Sequence, residues 1–144
     1  LGDVYKRQEA DPTGDVEGYD AAGKAVILAN VLLGGNLSML DVDREGITGL
    51  TLNDIKSAKT DGMRWKLIGT VEIVEETVIA SVRPVKIPVT HPLASVGGAI
   101  NALTYSTELL GEVTLIGPGA GAIGTGYAIF SDLLTIHTTM YPPG

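Results

Sequence analysis

The segment that most constrains the fold runs over residues 21–33, Ala-Ala-Gly-Lys-Ala-Val-Ile-Leu-Ala-Asn-Val-Leu-Leu, where Lys24 and Asn30 are the only polar side chains. Apolar residues lie on every side of any helix drawn through it, and a helix that is hydrophobic all round is a buried one. Asp15 is the predicted N-cap, because its side-chain oxygen can accept from the free N–H groups of the first turn. Gly34-Gly35 supplies the stop. The predicted helix has roughly five turns at ~3.6 residues per turn, and the rest of the chain frames it.

At about 100° per residue, Lys24 shares its face with Ile27, Leu28 and Val31, and Asp20 precedes it by four residues. On this reading a lysine enters a largely apolar interior, where an unpartnered ammonium costs several kcal/mol. It would keep Asp20 as counter-ion and have its pKa lowered by burial, as suits a group that exchanges protons in catalysis. The plainer alternative is an ordinary i,i+4 pair whose lysine reaches water along its methylene stem. Three further acids, Glu9, Asp11 and Asp15, precede the pair. Several carboxylates around one lysine suit a small zwitterionic ligand, since carboxylates hold an ammonium and the lysine addresses an oxygen.

The 144 residues suit a single domain by length, with a net charge of −7 and a pI near 4.6. Neither nucleic acid nor an anionic membrane attracts such a chain. Zero cysteines exclude disulfides and thiolate metal sites, and two histidines, His91 and His137, argue against a histidine metal centre. The expectation is therefore a cytoplasmic protein with no metal, no membrane span and no signal peptide.

Residues 41–47 read as a short strand, and residues 52–60 as a surface helix with Asn53 or Asp54 in its first turn and Asp61-Gly62 behind. Residues 63–73 and 77–87 both alternate, and read as a hairpin turned at Glu75-Glu76, with Pro84 demanding an edge position or a bulge. One face of that sheet is expected to be buried. Residues 88–92 read as a loop in which His91 is structural, residues 93–96 as a helical turn, and residues 101–107 and 112–116 as a second hairpin around Leu110-Gly111. Gly119, Gly121 and Gly124 then fit Gly-x-Gly-x-x-Gly ahead of a helix over residues 125–138. With some twenty residues left there is no second strand for a ribose-binding acid, so a tight strand-to-helix turn accounts for the glycines better than a complete dinucleotide fold.

The run Glu9-Ala-Asp-Pro-Thr-Gly-Asp-Val-Glu-Gly-Tyr-Asp-Ala-Ala-Gly-Lys24 resembles the homoserine dehydrogenase signature, Glu-x-Asp-Pro followed by Asp-x-x-Gly-x-Asp-x-x-x-Lys. Arg44-Glu-Gly-Ile-Thr48, Lys66-Leu-Ile-Gly69, His91-Pro-Leu-Ala94, Gly98-Ala-Ile-Asn-Ala102 and Gly117-Pro-Gly-Ala-Gly121 agree in order. The resemblance implies an α+β fold: a mixed, mostly antiparallel sheet with helices on one face, dimerising through the other. It implies an oxidoreductase interconverting L-homoserine and L-aspartate 4-semialdehyde with NAD or NADP, in threonine and methionine biosynthesis. By the same resemblance Lys24 is the proton donor and acceptor, Asp15 orients it, Glu9 and Asp20 hold the substrate ammonium, and Gly121 touches the cofactor. Asp11 is expected to be structural.

Residues 1–8 depart from the family pattern and read as a foreign leader or a divergent strand. The resemblance assigns residues 9–144 to the catalytic and dimerisation domain, with residues 117–144 returning toward a nucleotide-binding domain outside this chain, so that the chain alone is expected to be inactive. Gly23, Gly124 and Gly126 stand where the family commonly has larger residues; in the helix, Gly23 costs roughly 1 kcal/mol of propensity. Two other classes fit the residues: a non-catalytic oligomerisation or small-ligand module, and a phosphate-binding domain built on the glycine loop.

Overall fold

The structure, a computed structural model, describes residues 11–142. It divides into two units, Leu1–Val89 and Thr90–Gly144. In the first, α1 (Thr13–Val16) and α2 (Tyr19–Leu32) precede a 3-10 turn (Met39–Asp41) and β1 (Asp43–Arg44), followed by α3 (Leu52–Thr60), β2 (Met63–Val74) and β3 (Thr77–Pro88). The sheet order is β1-β3-β2, with β1 parallel and β2 antiparallel to β3. In the second unit a 3-10 turn (Pro92–Ser95) leads to the antiparallel pair β4 (Ile100–Thr107) and β5 (Gly111–Pro118), then to α4 (Ala122–Met140). The mixed α+β class is as the sequence implied, in the form of a three-stranded mixed sheet and a separate hairpin.

The long hairpin is regular from Met63↔Pro88 to Val74↔Thr77. Glu75 (φ 48°) and Glu76 (φ 66°) form its two-residue turn in the left-handed region that a tight hairpin demands, although neither is glycine. Pro84 causes no bulge. The Val82 carbonyl accepts from Glu45 N–H at 2.8 Å, so Val82 and Pro84 both aim their backbone groups toward β1. That strand pairs only with Ser81 and Val82. Beyond it β3 is locally an edge, where the missing proline N–H breaks no ladder bond.

Along β2, Trp65, Leu67, Gly69 and Val71 share one face. Trp65 Nε1 donates to the Asp54 carbonyl of α3 at 3.3 Å, while Leu67 and Val71 join the core that Ala22 and Ala25 of α2 form with Val42, Ala80 and Val82. Both helices thus cover the same side of the sheet. Helix α2, expected to be buried all round, is instead buried only along Ala22, Ala25 and Ala29; Ile27, Val31 and Leu32 are exposed. The small face wins because it lets the helix approach closely. A Cβ added to Gly69 would stand 3.5 Å from the Ala21 carbonyl oxygen and 3.8 Å from Ala25 Cβ.

Asn30, the other polar residue of α2, brackets Leu37 by donating to its carbonyl at 2.9 Å and accepting from its N–H at 2.8 Å. Gly34, at φ 68°, turns the chain back as foreseen. Among the described residues no helix is long and apolar enough to cross a membrane.

Helix α3 occupies the predicted residues with Asp54 in its first turn, and its N-cap is Thr51, whose hydroxyl accepts from Asp54 N–H at 3.2 Å while the Asp54 carboxylate accepts from Thr51 N–H at 2.8 Å. This is a capping box with Asp in the third position. The Thr51 hydroxyl and then its N–H hold the Asp54 carboxyl below its ordinary value of 3.8. A depressed carboxyl stabilises the fold above its unfolded pKa and loses that contribution as pH falls through the folded one. The stability advantage of the wild type over Asp54→Asn is therefore expected to be full above about pH 5 and to decline as pH falls below the ordinary carboxyl range, as read by urea unfolding across pH.

Candidate functional site

Glu9 lies outside the described residues, so the site is built from Asp15, Asp20 and Lys24. Asp11 accepts from Thr13 N–H at 3.0 Å and from the Thr13 hydroxyl at 2.5 Å, opening α1. These two bonds, hydroxyl first, hold its carboxyl below the usual range. It is structural, as foreseen. Asp15 falls in the first turn of α1 rather than at an N-cap. The cap position of α2 belongs to Gly18, which offers no side-chain bond.

The reason is the turn between the helices. Gly18 sits at φ 78°, and a Cβ there would meet Val82 Cγ1 at 3.0 Å and Leu67 Cδ2 at 3.3 Å. Packing this joint onto the sheet breaks the single helix that the sequence suggested into two, and leaves Asp15 on the short one.

Asp20 and Lys24 follow on α2, with Nζ 2.6 Å from Asp20 Oδ2. The lysine side chain keeps 52% of its exposure and the aspartate 57%. The expected burial of Lys24 is thus corrected: the face it shares with Ile27 and Val31 is the outer one, because the alanine face has taken the sheet. The pair is the i,i+4 arrangement with its ammonium at the surface. Among the described residues, Asp15 forms no ion pair.

A Cβ added to Gly23 would lie 3.9 Å from Met39 Sδ, an ordinary contact, so the turn carrying Lys24 has room for the side chain it lacks. Sequence reasoning passed over Arg44. Its Nη1 donates to the Glu17 carbonyl, and its guanidinium carbon stands 3.7 Å from the Tyr19 ring centroid. The segment Arg44-Glu-Gly-Ile-Thr48 was visible, but read as a weak strand it gave no sign of which side chain would turn toward the joint.

In the second unit, Gly121 precedes α4 at φ 147°, its carbonyl accepting from Thr125 N–H at 2.9 Å, and an added Cβ there would meet nothing within 4 Å. At Gly119 an added Cβ would meet only the side-chain amide of the exposed Asn101, at 2.3 Å from its Cγ. The glycine loop is the tight strand-to-helix turn expected of it, with open backbone at Gly121. His91 is structural as foreseen, its Nδ1 accepting from Leu93 N–H at 3.2 Å.

A half-exposed pair contributes little to stability, whereas removing one partner of a buried pair costs about 3–5 kcal/mol. Lys24→Met is therefore expected to change the unfolding free energy by less than about 1 kcal/mol. A loss of several kcal/mol in urea unfolding would return the lysine to the interior.

The homoserine dehydrogenase family model matches residues 6–134. The chain is 49% identical over 130 residues to the NAD(+)-dependent homoserine dehydrogenase of Pseudomonas canavaninivorans, covering 90% of this chain and 37% of that protein. It is 41% identical over 131 residues to the homoserine dehydrogenase of Methanocaldococcus jannaschii, covering 91% and 38%. It superposes on S. aureus homoserine dehydrogenase with a TM-score of 0.84 at 41% identity, over 99% of this chain and 37% of that one. On the Thiobacillus denitrificans homoserine dehydrogenase the TM-score is 0.82 at 36% identity, over 92% and 31%. The chain thus spans between 31% and 38% of the length of these relatives. With the family model matching over most of its length, and the folds agreeing, the chain belongs to the homoserine dehydrogenase family.

Proposed function

We propose that this chain is the catalytic and dimerisation domain of an oxidoreductase that interconverts L-homoserine and L-aspartate 4-semialdehyde with NAD or NADP, in the cytoplasmic biosynthesis of threonine and methionine. The observation that carries the reading is the Asp20–Lys24 pair, 2.6 Å apart and half exposed at the start of α2, set in the family signature. Lys24 Nζ donates its proton to the aldehyde oxygen in reduction and accepts the hydroxyl proton in oxidation, so no free alkoxide has to persist.

Asp20 uses Oδ2 for Lys24, which leaves Oδ1 to accept from the substrate's α-ammonium, with Glu9 as the second acceptor. Asp15 favours the charged lysine through its field and orients it. Holding both ends of a four-carbon substrate turns proton transfer into a positioned, effectively unimolecular step.

The nicotinamide, when bound, supplies and removes the hydride equivalent. The residues present fit its approach at one point, Gly121, where the backbone before α4 is open. The remaining cofactor contacts are assigned to a nucleotide-binding domain outside residues 9–144, toward which residues 117–144 return, and the isolated chain is accordingly inactive. A second subunit's sheet packs on the face of β3 opposite α2, where Ile79 and Val85 are exposed.

Joining residues 9–144 to the nucleotide-binding domain of a related dehydrogenase tests the assignment through homoserine-dependent NAD(P)H formation. Lys24→Ala is expected to lower kcat by at least about 100-fold with folding and cofactor binding intact. A folded chimera indifferent to that change would make the domain a non-catalytic oligomerisation or ligand-binding module.

A further inference from the structure

The proposed catalytic groups stand on two helices, Asp15 on α1 and Asp20 and Lys24 on α2, connected only through Glu17 and Gly18. Whatever grips that joint sets the angle between them. The grip comes from the segment that follows the 3-10 turn. Ile47 N–H donates to the Val16 carbonyl at 2.8 Å, and Gly46 lies so close that an added Cβ would meet the Val16 carbonyl oxygen at 2.6 Å and Glu17 Cα at 2.8 Å.

Arg44 reaches across the joint. On one side its Nη1 donates to the Glu17 carbonyl and stands 4.0 Å from Glu17 Oε2; on the other its guanidinium lies over Tyr19, the residue before Asp20. The strand that carries it is itself anchored, because Arg83 of β3 pairs with Asp43 and, at 3.4 Å, with Glu45. Among the described residues, the side-chain hydrogen bond onto the joint from outside the two helices is the one Arg44 makes to the Glu17 carbonyl. A planar guanidinium suits the task, since it can donate in its plane while stacking on a ring, which a lysine cannot do.

We propose that Arg44 is a positioning residue: by clamping Glu17 and Tyr19 it fixes α1 against α2 and so holds Asp15 in register with the Asp20–Lys24 pair. The proposal rests on the assignment of Lys24 as the proton-transfer group. Misplacing such groups by about 1 Å costs on the order of 100-fold in rate without touching the chemistry itself.

Two readouts test it. In the 144-residue chain, Arg44→Met is expected to speed amide exchange of Ala22, whose N–H is bonded to the Gly18 carbonyl at 2.9 Å, by at least about tenfold, while amides of the β2–β3 ladder keep their protection. In the chimeric dehydrogenase the same variant lowers kcat by about tenfold or more and moves the homoserine KM far less, with Arg44→Lys in between. Wild-type kcat in Arg44→Met, or faster exchange spread evenly over the whole fold, would overturn the proposal. Should Lys24→Ala leave activity unchanged, the functional assignment fails, and the Ala22 exchange rate still decides whether Arg44 is the clamp.

Discussion

The contact on which the first unit depends is the seating of one alanine face on one strand pair. Ala22, Ala25 and Ala29 occupy the buried side of α2, and Val82 beneath it is the largest fully buried side chain. Alanines contribute little area each, but they let helix and sheet come close enough for Leu67 and Val71 to fill the remaining space. Close approach also selects the backbone at the helix start, since a Cβ on Gly18 would meet Val82 Cγ1 at 3.0 Å and Leu67 Cδ2 at 3.3 Å.

The outward direction of the acid–lysine pair follows from that seating. Once the alanines face the sheet, helical geometry sends Asp20, Lys24, Ile27 and Val31 to the far side. The ammonium reaches the surface with its counter-ion one turn away and no desolvation has to be offset. The pair is thus held by a packed core while its charged ends stay at the surface. The apolar residues beside the lysine, Ile27 and Val31, are exposed in this chain.

Much of the architecture was legible because it rests on local chemistry. The 63–88 hairpin was plain from alternation and helix α3 from its acidic first turn and Asp61-Gly62 stop. Pro84 was correctly read as an edge signal even though β3 is the middle strand, because β1 ends two residues short of it. Each failure has a physical cause. Counting apolar residues around a helix does not say which of them packs, and it treated alanine as equivalent to valine or isoleucine. Size decided the matter: the small face went in and the lysine came out. Likewise Asp15 had the chemistry of an N-cap, but the glycine three residues later was required by the sheet beneath it and moved the helix start. Arg44 was hidden because a two-residue strand carries no periodic signal, and its partners lie 25 to 27 positions earlier in the chain.

Native-state amide exchange on the 144-residue chain tests the central claim most directly. If the alanine face and the sheet form one cooperative core, the amides of Ala25 and Ala29 exchange with the same opening free energy as the ladder amides of Ser81 and Arg83. Helix amides exchanging orders of magnitude faster than the ladder would show that α2 is not held by the sheet, and the outward placement of Lys24 would lose its physical basis.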